Sequence, residues 1–278
     1  MTILGFDTAT AATAACLLRD DGRAFEIEPK PAALSAPPGH ARELMPAIAE
    51  VMERAGATFA DLRAIAVGVG PGSFTGLRIG VSSARALAQA SGAELRPVSS
   101  LAALGAGIAA PLRLPLIDAK RGELFAAVFA DGEELLAPLA APPEEIAARA
   151  TGMAERPGGM AEHAGGMAEH AGGMAEHAGG MAERARGTAE RAGGMAERAG
   201  GMAERASRAG IPLRAAGDGS VRFRSVLEAA GIEVEPDGSR AHVVRALYVC
   251  RLGAGAPARP PEAVLPEYLR SPDAKPSA

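Results

Sequence analysis

The sequence predicts an α/β protein of two related halves, each a mixed sheet with flanking helices, plus a low-complexity heptad insertion. Three observations predict it. The order three strands, helix, strand, helix, strand, helix is readable from Thr2 to about Ala109, and three strands followed by a helix begin again at Leu112. The segment Ala64 to Gly80, AIAVGVGPGSFTGLRIG, reads as strand, glycine-rich turn and helix. Residues 151–209, inserted within the second half, repeat a seven-residue unit that fits neither half. The boundaries that follow are 1–110 for the first half, 111–150 with 210–270 for the second, 151–209 for the insertion and 271–278 for a polar tail.

Thr2 to Phe6 reads as a buried strand, with Asp7-Thr8-Ala9-Thr10 as a polar turn. Thr13 to Leu18 and Arg23 to Ile27 are two further strands joined by the hairpin signal Asp20-Asp21-Gly22. Pro29 to Gly39 reads as a proline-rich loop. A helix is expected from His40 to Ala55, because Leu44, Ile48, Val51 and Met52 form an apolar stripe and Gly56 suits its end. Pro46 in its second turn suggests a bend.

In the glycine-rich stretch, Ile65, Val67 and Val69 alternate with small residues, and Gly70-Pro71-Gly72 ends the strand. Ser73 and Thr75 are good caps for a helix whose stripe is Leu77, Val81, Ala84 and Ala88. Leu95 to Val98 is a short strand, and Ser99 or Ser100 caps a helix to about Ala109. In the second half, Leu114, Leu116 and Ile117 make a strand ending at Asp118-Ala119-Lys120-Arg121-Gly122. Leu124 to Phe129, the turn Asp131-Gly132 and Glu133 to Leu136 follow, and a helix starts after Pro143. After the insertion come a strand at Ile211 to Ala215, the turn Gly217-Asp218-Gly219, a helix at about Val221 to Ala230 and a last helix from His242 to Leu252.

Composition bounds the chemistry. The 278 residues carry a net charge of −4 and only 3% aromatics, with no Trp. Phosphate backbones are gripped by basic surfaces and bases by aromatic platforms, so a chain that holds RNA unaided is disfavoured. Cys16 and Cys250 fit no disulfide framework or zinc pattern and read as buried, reduced thiols of a cytoplasmic protein. The start has no secretory-signal pattern, and no apolar run reaches the roughly 18 residues of a membrane span.

The candidate sites each carry two readings. The glycine-rich turn can hold an anion at a helix start, yet no lysine follows its glycines, and neither G-x-G-x-x-G nor G-x-S-x-G is present. Asp7 can orient a ligand or cap its own turn. Lys120 and Arg121 offer positive charge beside Asp118, or form a solvated turn that Glu123 neutralises. Asp218 or Ser220 can cap a strand-to-helix turn. His40 has no partner at Leu44 and reads as a helix-start residue, and His242 reads as structural. In the insertion, Met153, Met160, Met167, Met174, Met181, Thr188, Met195 and Met202 recur every seven residues. Two glycines in most copies cost about 2 kcal/mol per heptad, which an alanine seam does not repay, so disorder or weak helicity is expected. His163, His170 and His177 stand about 10.5 Å apart along a helix, too far to share one ion.

The string GPGSFTGLRIG resembles the hallmark of the TsaB family, the dimerisation subunit of the bacterial tRNA threonylcarbamoyladenosine machinery. ILGFDTAT, IDAKRGELF and PEYLR match the same family in order. The motif residues are Gly70, Pro71, Gly72, Ser73, Phe74, Thr75, Gly76 and Arg78. The resemblance implies two actin-like half-domains and a non-catalytic role. It implies a partner, the catalytic paralogue TsaD, an ATPase subunit TsaE, contact with tRNA through the complex, and a possible homodimer. It implies no cofactor of the chain's own, with ATP and magnesium used by the complex. The family pairs through its first two long helices, which selects Leu44, Met45, Met52, Leu77, Ile79, Val81 and Leu87 as interface candidates. The actin-like superfamily implies a nucleotide cleft, vestigial here, at Asp7, Thr8, Asp118, Gly217, Asp218 and Gly219. The alternative is an ATP-dependent kinase or acyltransferase with Asp7, Asp118 and Asp218 on magnesium phosphate. A peptidase is weaker still, for want of a nucleophile with a nearby histidine base.

Overall fold

The computed structural model describes residues 1–130, 132–155 and 212–270. The expectations for the heptad insertion beyond Glu155, its three histidines, Asp131 and the tail fall outside these residues. No described helix is long and apolar enough to cross a membrane.

Two five-stranded mixed sheets form the frame. The first holds β1 (Ile3–Asp7), β2 (Ala14–Leu18), β3 (Ala24–Ile27), β4 (Ala64–Gly70) and β5 (Glu94–Ser99), in the order β3-β2-β1-β4-β5. The second holds β6 (Leu112–Lys120), β7 (Glu123–Ala130), β8 (Glu133–Ala141), β9 (Leu213–Ala216) and β10 (Glu233–Val234), in the order β10-β9-β6-β7-β8. Each sheet has the same plan: its first three strands are antiparallel neighbours, and its fourth and fifth run parallel beside the first.

Helices α1 (His40–Ala55) and α2 (Phe74–Ser91) cover the outer face of the first sheet. Helices α3 (Ser100–Ala106) and α7 (Ala246–Gly255) lie between the two sheets. Helix α4 (Pro143–Glu155) packs with α6 (Arg224–Ala229) on the outer side of the second sheet, while the short α5 (Asp218–Arg222) lies against β6. Apolar stripes decide these faces. Leu44, Ile48, Val51 and Met52 turn inward on α1, whose end is closed by Gly56 in the left-handed conformation (φ 60°).

Several elements differ from the sequence reading. β8 runs on to Ala141 through Pro138, where Glu133 to Leu136 was expected; β8 is an edge strand, and an edge tolerates a residue without an N–H. The helix expected over Val221 to Ala230 is two short helices separated by Phe223, which leaves helical geometry to pack on the second core. The last helix begins at Ala246 rather than His242, because Val243 to Arg245 stay extended. The loop before α1 contains a 3-10 turn at Pro31–Ser35. The strand ending at Asp118 continues to Lys120, which tightens the following turn.

Candidate functional site

A cleft of about 570 Å³ lies between the halves. It is lined by Ala9 to Ala11 after β1, by Gly72 to Phe74 at the start of α2, by Ile117 to Arg121 at the end of β6, and by Glu267 to Arg270. Each of these four stretches overlaps one of the four motif segments.

The glycines of the second segment explain its composition. A side chain at Gly76 would overlap the carbonyl of Thr8, one at Gly80 the Thr8 hydroxyl, one at Gly72 the carbonyl of Ala9, and one at Gly68 the carboxylate of Asp7. These positions recur every four residues and let β4 and α2 close on the first turn, backbone against backbone. Ser73 N–H donates to Ala9 O at 2.7 Å, and the Ser73 hydroxyl accepts from Gly76 N at 3.4 Å. Two donors at this helix start are therefore occupied by the protein itself.

Asp7 lies beneath the cleft, 1% exposed. Its Oδ1 accepts from Ala9 N at 2.7 Å and its Oδ2 from the Ser100 hydroxyl at 2.6 Å. Burial raises its pKa, against the pull of those hydrogen bonds and of nearby His40. Thr8 is fully buried and donates to Gly76 O at 2.8 Å. His40 is buried, with Nδ1 2.8 Å from the Thr13 hydroxyl, which reaches Glu43 at 2.9 Å.

On the other side, Asp118 takes hydrogen bonds from Lys120 Nζ at 2.9 Å and Arg222 Nη1 at 2.7 Å, with Lys120 N closing the turn at 2.8 Å. Burial opposes its ionisation, but the two cations win and hold its pKa below the usual carboxylate value. Lys120 and Arg121 both adopt left-handed backbone (φ 64° and 54°), which turns them outward at the cleft mouth. Asp218 accepts from Asp118 N at 3.0 Å, and burial raises its pKa. Gly217 and Gly219 are packed rather than open: side chains there would overlap Leu116 O and Leu124. His242 holds that turn, with Nδ1 accepting from Gly217 N at 3.1 Å and Nε2 donating to Pro236 O at 3.0 Å. It is a buried brace at the end of a 3-10 turn, just ahead of the helix whose start the sequence assigned to it.

The proposed nucleotide residues therefore divide. Asp118 and Asp218 line the cleft; Asp7, Thr8, Gly217 and Gly219 are consumed by packing and internal hydrogen bonds and do not line it. No group of three or more metal-ligating side chains occurs among the described residues. The interface candidates divide too. Leu44, Met52, Leu77 and Val81 are at most 5% exposed and belong to the chain's own core. Met45 is 47% exposed, while Ile79 and Leu87 are half-buried at the edge of that core. Sequence reasoning missed the pairing of Arg222 with Asp118 and of Arg270 with Glu123, since both join residues more than 100 positions apart.

A family model described as TsaD, tRNA N6-adenosine threonylcarbamoyltransferase, matches residues 34–168. An uncharacterized protein of Mycobacterium bovis is 37% identical over 142 residues, covering 49% of this chain and 63% of that one. The tRNA threonylcarbamoyladenosine biosynthesis protein TsaB of Escherichia coli is 33% identical over 135 residues, 46% of this chain and 55% of that one. The TsaB of Bacillus subtilis is 34% identical over 131 residues, again 46% and 55%. Over about half of its length the chain is similar to these TsaB proteins.

The matches span between about half and just under two thirds of these curated relatives' length. The fold agrees over a longer stretch. A crystal structure of an uncharacterized protein with similarity to peptidase YeaZ, from Pseudomonas aeruginosa, superposes with a TM-score of 0.63 at 23% identity, covering 97% of this chain and 99% of that one. At that identity the likeness speaks for the two-half fold and no further.

Proposed function

We propose that this chain is a non-catalytic subunit in tRNA threonylcarbamoyladenosine biosynthesis, acting by binding and organising the catalytic paralogue TsaD. TsaD and the ATPase TsaE supply the chemistry, with ATP and magnesium, at the adenosine beside the anticodon. The chain meets tRNA only within that complex and is cytoplasmic. One observation carries this reading beyond the relatives' names. The carboxylates that a kinase-like cleft would turn towards magnesium phosphate are engaged by the protein's own donors, Asp7 by Ser100 and Ala9, and Asp118 by Lys120 and Arg222. The outward face of α1 and α2, with Met45 exposed and Ile79 and Leu87 half-buried at its margin, supports a protein-binding surface there. Reconstitution from purified subunits tests it. The complete mixture modifies tRNA, omission of this chain abolishes most turnover, and the chain alone gives none; modification by the chain alone overturns the proposal.

A further inference from the structure

The chain after α7 does more than end the fold. Arg259 N donates to Leu95 O at 2.8 Å at the edge of the first sheet, Val264 is buried in the first core, and Glu267 N donates to Val69 O at 2.7 Å. Tyr268 then lies on α2: its ring centroid is 5.0 Å from that of Phe74, and its hydroxyl accepts from Arg78 Nε at 3.2 Å. Arg78 in turn lies 3.9 Å over the Phe74 ring. Two residues later the chain has crossed the cleft. Arg270 Nη1 donates to Glu123 Oε2 at 2.7 Å and to Ala119 O at 3.3 Å, both on the β6–β7 hairpin of the second half.

We propose that Glu267–Arg270 is a latch that sets the opening of the inter-half cleft and couples it to the exposed first turns of α2. Its two ends differ in strength. The Tyr268 end is a stack of two aromatic rings and a guanidinium, continued by a backbone hydrogen bond into β4. The Arg270 end is a part-exposed ion pair, with 28% and 34% side-chain exposure, so water competes for it. The Arg270 end releases first, and the halves then part about the other crossings. Any ligand or partner that shifts Phe74 or Arg78 moves Tyr268, and through it the tether on the β6–β7 hairpin. Coupling of this kind is reciprocal, so occupation of the cleft would also alter the face of α2.

The test uses spin labels at Arg54→Cys on α1 and Arg149→Cys on α4, both about half exposed, in the full chain. Native Cys16 and Cys250 are fully buried and stay unlabelled. Arg270→Glu should broaden the inter-label distance distribution towards longer values and speed amide exchange at Glu267 by roughly fivefold, the scale of one part-exposed pair. Glu123→Gln should do the same more weakly. The charge-swapped pair Glu123→Arg/Arg270→Glu should restore both readings. Unchanged distances and exchange in Arg270→Glu overturn the proposal, and so does a swap that leaves the distribution broad.

Discussion

Gly76 shows what a single missing side chain does here. It sits in the first turn of α2, where a β-carbon would overlap the Thr8 carbonyl, a backbone atom that cannot rotate away. Alanine ordinarily favours a helix over glycine by about 1 kcal/mol. At this position overpacking outweighs that gain, and Gly76→Ala should lower unfolding free energy by about 1–3 kcal/mol in urea melts. His40 is the second decisive residue. Burial pushes its pKa down, against the Thr10 carbonyl and the Glu43 and Asp7 carboxylates that favour the charged ring. A depressed folded pKa means that the native state binds fewer protons than the unfolded state below the ordinary histidine value. The stability involved is complete above that value and is lost as pH falls through the folded one. Unfolding free energy should therefore decline in the parent as pH falls below the ordinary histidine value of about 6.5, and His40→Gln should remove that part of the decline. Equal slopes in the two proteins would refute the assignment.

At the scale of elements, what could be read from the sequence depended on whether the cause was local. Helix α1 was legible to the residue, because its stripe and its terminal Gly56 are written within sixteen positions. The glycine-rich turn was legible as strand, turn and helix, but the reason for its glycines was not, since the surface they approach is the turn after β1. The length of β8 was hidden by Pro138, whose cost depends on the strand lying at an edge. The start of α7 is set from outside: Glu26 on β3 accepts from Leu247 N at 3.0 Å and pairs with Arg245, so a strand of the first sheet caps a helix 221 residues later. For the interface candidates, periodicity marks an apolar stripe without saying what covers it. Of the α1 candidates, Met45 alone is exposed. Met45→Glu should leave the melting temperature within a degree or two and weaken calorimetric binding to the catalytic paralogue at least about tenfold. Undiminished affinity would place the contact elsewhere.

Across the whole molecule, the four motif segments converge on one cleft although they begin and end the described chain. Each makes the walls or the tie of that cleft. The first two form a wall through glycines too small to separate them, the third carries a carboxylate already neutralised by Lys120 and Arg222, and the fourth bridges the halves. Packing and internal hydrogen bonds thus account for much of these four segments. The direct test is calorimetric titration of the isolated chain with ATP and magnesium. The expected result is no saturable heat at micromolar concentrations, in the parent and in Asp118→Asn alike. Micromolar binding by the parent that disappears in Asp118→Asn would show the cleft to be a working nucleotide site and contradict the account.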